Sequence, residues 1–159
     1  MENSTQIQKD TQRGPERQTA PSSAKFPALL FVYGSLMDTD VIQAVLRIPK
    51  PPPLRSAVLS DYKMKMWRIY PTLIPHEGTQ VTGKVFMVDD IDQFQRLQKY
   101  ETRAYSWTEC EVELEDGTVA RDCRVFIWAG DPDSADLRDG SFDLEVYQKE
   151  YKPALFGRV

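Results

Sequence analysis

The pair Asp116-Gly117 constrains this chain more than any other feature, because it lies between two strand-like stretches, residues 105–114 and 118–128. Asp-Gly in that setting is a strong two-residue hairpin signal. With Glu115 facing Thr118, the antiparallel register brings Cys110 directly opposite Cys123. On the first arm Cys110, Val112 and Leu114 alternate with Glu109, Glu111 and Glu113, the period of a strand with one face in water. Carboxylates spaced this way can bind a cation, but they are more commonly a solvated face. The two thiols read in the same way, as small buried side chains before a redox pair.

Upstream, Ala28-Leu29-Leu30-Phe31-Val32 is a continuous apolar run of strand length that ends in glycine after Tyr33, which suits a first strand buried on both faces. Asp38 or Thr39 can cap a short helix carrying Val41, Ile42, Val45 and Leu46, and Pro49 with Pro51-Pro52-Pro53 ends it as a stiff connector. Strands are expected over 54–59, 62–69 and 80–88. Met64 and Met66 fill the core, Trp67 breaks the alternation, and Gly83 marks a bulge or a close backbone approach. Asp90 with Gln93 opens a helix whose stripe is Ile91, Phe94, Leu97 and Tyr100, and Glu101 ends it. Residues 131–141 read as loop, and Leu144, Tyr147 and Tyr151 as a weak closing helix. Many strands with a few short helices define an α+β fold, a small mixed β-barrel or strongly curved sheet.

Composition narrows the chemistry. The 159 residues suit one domain, at 26–159, preceded by a polar tail at 1–25 too poor in apolar residues to offset its own ordering entropy. A formal net charge of −4 gives no electrostatic reason to expect nucleic acid. Apolar runs fall short of the ~20 residues a membrane helix needs, and the start of the chain lacks the apolar core of a signal peptide, so a cytoplasmic protein is expected. Two cysteines and one histidine are too few for zinc clusters, or for Cys/His or Ser/His/Asp catalysis.

What remains is a glycine turn and a carboxylate. Tyr33-Gly34-Ser35-Leu36 leaves a buried strand where backbone N–H groups can cradle an anion or a polarised carbonyl, although a tight turn alone would also call for Gly34. Glu101 stands at the unfavourable end of a helix dipole, as a tolerated surface charge or one held there for a purpose.

In order and spacing, Val32-Tyr33-Gly34-Ser35-Leu36, Val45-Leu46-Arg47-Ile48-Pro49, Tyr70-Pro71-Thr72-Leu73-Ile74-Pro75, Gly78, Val81-Thr82-Gly83-Lys84-Val85, Leu97-Gln98-Lys99-Tyr100-Glu101 with Tyr105, and Val125-Phe126-Ile127-Trp128 together resemble the gamma-glutamylcyclotransferase superfamily, in its avirulence-induced-gene-like branch of plants and fungi. The resemblance covers about residues 28–130. It implies a barrel with a cavity beside the glycine loop, and an enzyme that needs no cofactor. The implied substrate is a γ-glutamyl amide whose own α-amine attacks the side-chain carbonyl, releasing 5-oxoproline and an amine or amino acid. Glu101 is the implied base, Gly34, Ser35 and Leu36 the implied amide donors, and Tyr33 and Tyr105 line the pocket or simply pack beside it. A non-catalytic module binding a small ligand or a protein on the same fold is the alternative. Two positions depart from the family pattern: Thr102 replaces the usual glycine after the base, and Trp107 stands where arginine, expected to tune the base, is common. Contacts to the leaving group are expected from loops at 47–53, 75–80 and 129–142. Oligomeric state is left open.

Overall fold

The structure is a computed structural model that describes residues 25–155. Apart from Lys25, the tail expected at 1–25 lies outside the described residues.

Six strands make one sheet: β1 (Ala28–Val32), β2 (Arg55–Trp67), β3 (Tyr70–Val88), β4 (Tyr105–Leu114), β5 (Val119–Trp128) and the two-residue β6 (Arg138–Asp139). Their order is β3-β1-β5-β4-β2-β6, and because β3 also pairs with β2 the first five close into a barrel. Only β1 with β5 is parallel; the other pairings are antiparallel. This is the α+β mixed barrel expected of the sequence. The expected strands at 54–59 and 62–69 are one strand, β2, carried past a register shift where Asp61 takes φ 70°. The strand expected at 80–88 begins ten residues earlier, so 75–80 is sheet and not loop.

The apolar run of β1 is continuous because both its faces are covered. Phe31 joins Ala57, Leu59, Leu73, Val85, Val112 and Val125 inside the barrel. Leu30 and Val32 join Phe86, Val88 and Phe126 on the outside, under α1 (Thr39–Leu46) and α2 (Ile91–Glu101). Both helices carry the caps their sequences advertise. The carboxylate of Asp38 accepts from the amides of Asp40 and Val41 at 2.9 and 3.2 Å, and that of Asp90 accepts from the Gln93 amide at 2.9 Å. Gln93 reciprocates one residue further back, its Oε1 accepting from the Asp89 amide at 2.8 Å. A closing helical segment runs through α3 (Leu144–Val146), a π-turn stretch (Tyr147–Tyr151) and α4 (Lys152–Leu155).

The hairpin differs from expectation by one residue. Leu114, not Glu115, faces Thr118 across a three-residue loop, with Gly117 at φ 88°. A second irregularity sets Glu111 against both Arg121 and Asp122, which restores the register, so Cys110 does face Cys123. The Glu111–Arg121 ion pair, 2.9 Å, sits on that bulge. Cys123 is fully buried and Cys110 half-buried, both as free thiols. Glu109, Glu111 and Glu113 are exposed, as the alternation requires.

Candidate active site

At the end of β1 where the chain leaves the barrel, Tyr33 turns into Gly34 and then a short 3-10 helix, Ser35–Met37. The bonds of that turn are donated by Met37 to Gly34 O (2.9 Å) and by Asp38 to Ser35 O (3.0 Å). The amides of Gly34, Ser35 and Leu36 precede those donors, where the first amides of a helical turn have no partner within it. Gly34 is required by its neighbour and not by a left-handed turn, its φ being −129°, because a Cβ here would lie 2.8 Å from Cγ of Pro71.

The last residue of α2 is Glu101, which faces the same cavity of about 250 Å³. Its walls come from the end of β1, the 3-10 turn, the β2–β3 turn, the end of α2, the start of β4, and Phe126 on β5. Tyr33, Gly34, Ser35, Leu36, Glu101 and Tyr105 all line it, so the fold brings together every candidate named from the sequence. Among the described residues that line the cavity, Glu101 is the single carboxylate, and none is Lys, Arg or His. A larger and shallower hollow, about 790 Å³, lies against β2 and β3 and reaches none of these residues except Tyr33.

Glu101 opens toward the cavity yet is crowded by protein, and this burial raises its pKa to about 8. The two pocket phenols are held in place. Tyr33 Oη donates to the carbonyl of Phe126 at 2.5 Å, and Tyr105 Oη donates to the carbonyl of Pro71 at 2.7 Å. Burial raises the pKa of both, and the Glu101 carboxylate adds to the effect. The buried hydroxyl of Thr72 lies beside both phenols and moderates the rise, though its geometry falls short of a directed hydrogen bond. Tyr33 and Tyr105 thus serve as packing and as pocket wall at once. Leu36 does the same: it is buried in the outer core and still forms part of the lining.

Sequence reasoning missed several wall residues. Tyr100, read only as a helix-stripe residue, reaches across to the glycine loop and shares a 2.6 Å hydrogen bond with Ser35 Oγ. Trp67 and Tyr70 flank the tight β2–β3 turn and stand with rings 6.2 Å apart. The one local signal was Trp67 breaking the strand alternation. None of residues 47–53, 75–80 and 129–142 contributes to the lining, contrary to expectation, because Trp67, Tyr70 and Pro71 of the β2–β3 turn and the end of α2 occupy the wall instead. Trp107 does not bear on the base either. It is buried on the outer side of the sheet, edge-on to Phe94 at 5.4 Å, with the guanidinium of Arg124 4.7 Å from its ring. Thr102, in contrast, sits directly in the lining, at φ 71° and ψ −178°.

A mixed five-stranded barrel with a neutral, aromatic-walled cavity and one buried carboxylate is a compact class of protein. Residues 30–149 match the family described as gamma-glutamyl cyclotransferase, AIG2-like, and the chain belongs to that family. AIG2-like protein D of Arabidopsis thaliana is 33% identical over 124 residues, 76% of this chain and 78% of that protein. An Arabidopsis thaliana protein solved in solution shares the fold with a TM-score of 0.59 and 25% identity, over 87% of this chain and 92% of its own. A yeast gamma-glutamyl cyclotransferase specific to glutathione shares the fold alone, with a TM-score of 0.52 and 14% identity, over 65% of this chain and 69% of its own.

Proposed function

We propose that the chain is a cyclotransferase that cleaves a γ-glutamyl amide by intramolecular attack, with Glu101 as its acid–base residue. The observation that carries this reading is a lone carboxyl, lifted to about 8 by burial, in the same small cavity as the glycine loop. A base of that strength is matched to an α-ammonium near neutral pH.

The substrate arrives with its α-nitrogen as an ammonium. Ionised Glu101 takes one proton, the freed amine attacks the γ-carbonyl carbon, and a tetrahedral oxyanion forms. Collapse breaks the bond to the leaving nitrogen, which receives a proton from Glu101. The lactam nitrogen ends with one hydrogen where the ammonium had three, and the two it gives up leave with the released amine as its own ammonium. Atoms and charge balance without a redox partner. Amides of Gly34, Ser35 and Leu36 suit the substrate's α-carboxylate or the oxyanion, and loss of one such donor commonly costs ~100-fold or more in rate. Because nucleophile and carbonyl share one molecule, the protein's task is to hold the folded conformer, which the phenols fixed by Phe126 and Pro71 suit.

The test is 5-oxoproline release from a panel of γ-glutamyl compounds by the wild type and by a folded Glu101→Gln variant, which keeps the shape and removes the base. Release by the wild type, reduced at least ~100-fold in the variant, is the expected result. Wild-type silence on the whole panel, with the protein folded, would instead favour a non-catalytic module.

A further inference from the structure

The cavity has a chemical direction. Tyr105, tied to the Pro71 carbonyl, lines the cavity together with Glu101, whose carboxylate acts on its phenol. Trp67 meets Tyr105 edge-on at 6.5 Å, Tyr70 at 6.2 Å, and Trp128 behind it at 5.5 Å. The rings therefore form a continuous wall from the reacting centre outward to Tyr70, which is 38% exposed. Along it the described lining offers no cation. The nearest one to the wall, Arg68, lies over the Trp67 ring at 5.0 Å and outside the lining.

A γ-glutamyl compound needs one anion site for its α-carboxylate, and the amides of the glycine loop suit that role. A leaving group bearing a second carboxylate, as in an amino acid or peptide, would lie against aromatic rings in the same cavity as the Glu101 carboxylate, with no cation among the lining residues to pair with it, and desolvating an unpaired anion there is costly. An uncharged aryl group finds the opposite: ring faces and edges at stacking distance, and water to displace. Resting on the cyclotransferase reading, we infer that the group released is an arylalkylamine without a carboxylate, its aryl ring seated on Trp67, Tyr70 and Tyr105.

Four γ-glutamyl substrates test this with the full chain: the amides of methylamine, of 2-phenylethylamine and of phenylalanine, and glutathione. The expected result is a kcat/KM for the phenylethylamide at least tenfold above each of the other three. In Trp67→Ala the preference for phenylethylamide over methylamide should shrink to within threefold. A phenylalanine derivative or glutathione processed as well as the phenylethylamide would overturn the inference, as would equal rates for methyl and phenylethyl. The wild-type ratios decide the matter even if the variant fails to fold. Turnover of any of the four without the aryl preference leaves the cyclotransferase reading standing and removes this one; no 5-oxoproline from any of them removes both.

Discussion

A carboxyl raised by burial to about 8 works against the fold that holds it. The ordinary value for a glutamate is 4.5, so between pH 4.5 and 8 the unfolded chain has released a proton that the folded chain retains, and stability falls as pH rises through that window. Glu101→Gln removes the penalty. In denaturant titrations the variant should be more stable than the wild type by on the order of 4 kcal/mol at pH 8, and the difference should vanish below pH 4.5. The same titration governs the proposed activity in the other direction, because only ionised Glu101 accepts the substrate's proton. The kcat/KM of the wild type should climb about tenfold per pH unit and bend near 8. The next residue carries strain of a different kind. Thr102 holds φ 71° with ψ −178°, a region that suits glycine, and its hydroxyl accepts from the Ala104 amide at only 3.3 Å in return. Thr102→Gly should stabilise the chain by about 1 kcal/mol, read as a rise of roughly 3 °C in Tm.

Among the elements, β1 and β3 pack where side chains have least room. A Cβ on Gly83 would run into the carbonyl oxygen of Val32 and come within 2.8 Å of the Phe31 ring. Gly83→Ala should therefore cost about 2 kcal/mol or more and push β1 outward, visible as early exchange of the amides of Leu30–Val32. This close approach was readable in advance, since a glycine inside a strand has few other reasons to be there. So were the buried β1, the caps at Asp38 and Asp90, and the facing of Cys110 with Cys123, although that last register survives because a bulge at Arg121-Asp122 cancels a hairpin loop one residue longer than expected. The first half of β3 was hidden by Pro71, Pro75 and Gly78, residues that argue against a strand. It tolerates the prolines because residues 70–75 pair with β2 alone, leaving one side free of ladder bonds, and Gly78, at φ 89°, falls in the register shift between Pro75 and Gln80. In the site, the glycine loop and Glu101 were legible from motif spacing. Trp67, Tyr70 and Phe126 were not, because only barrel closure carries them to Glu101.

For the molecule as a whole, the closing helical segment is fastened by a single buried acid. Asp38 is 4% exposed, caps α1, and also accepts from Gln148 Nε2 at 2.8 Å and from Lys152 Nζ at 2.9 Å. Burial opposes its charge, but the bonds from Gln148 and Lys152 outweigh that cost and hold the carboxyl below its ordinary value. The stability it contributes is present above the usual carboxylate range and is lost as pH falls through its lowered pKa. Asp38→Ala removes a helix cap and two long-range bonds together, so a loss of about 2–4 kcal/mol is expected. Hydrogen exchange should show Tyr147–Tyr151 opening before the barrel does.

The tie between Tyr33 and Phe126 joins positions 93 residues apart, and the parallel pair of β1 with β5 spans a similar length of chain. Contacts of that separation form late, after nearer hairpins have already closed. During synthesis β1 can pair with β3 along one edge, but its other edge must wait until β5, the last long strand, has emerged. The cavity inherits that delay, since its walls belong to both ends of the wait. A truncated chain or a nascent one lacking β5 would hold the glycine loop and the carboxylate without the space between them, so the proposed catalysis would arrive all at once, as the final product of folding.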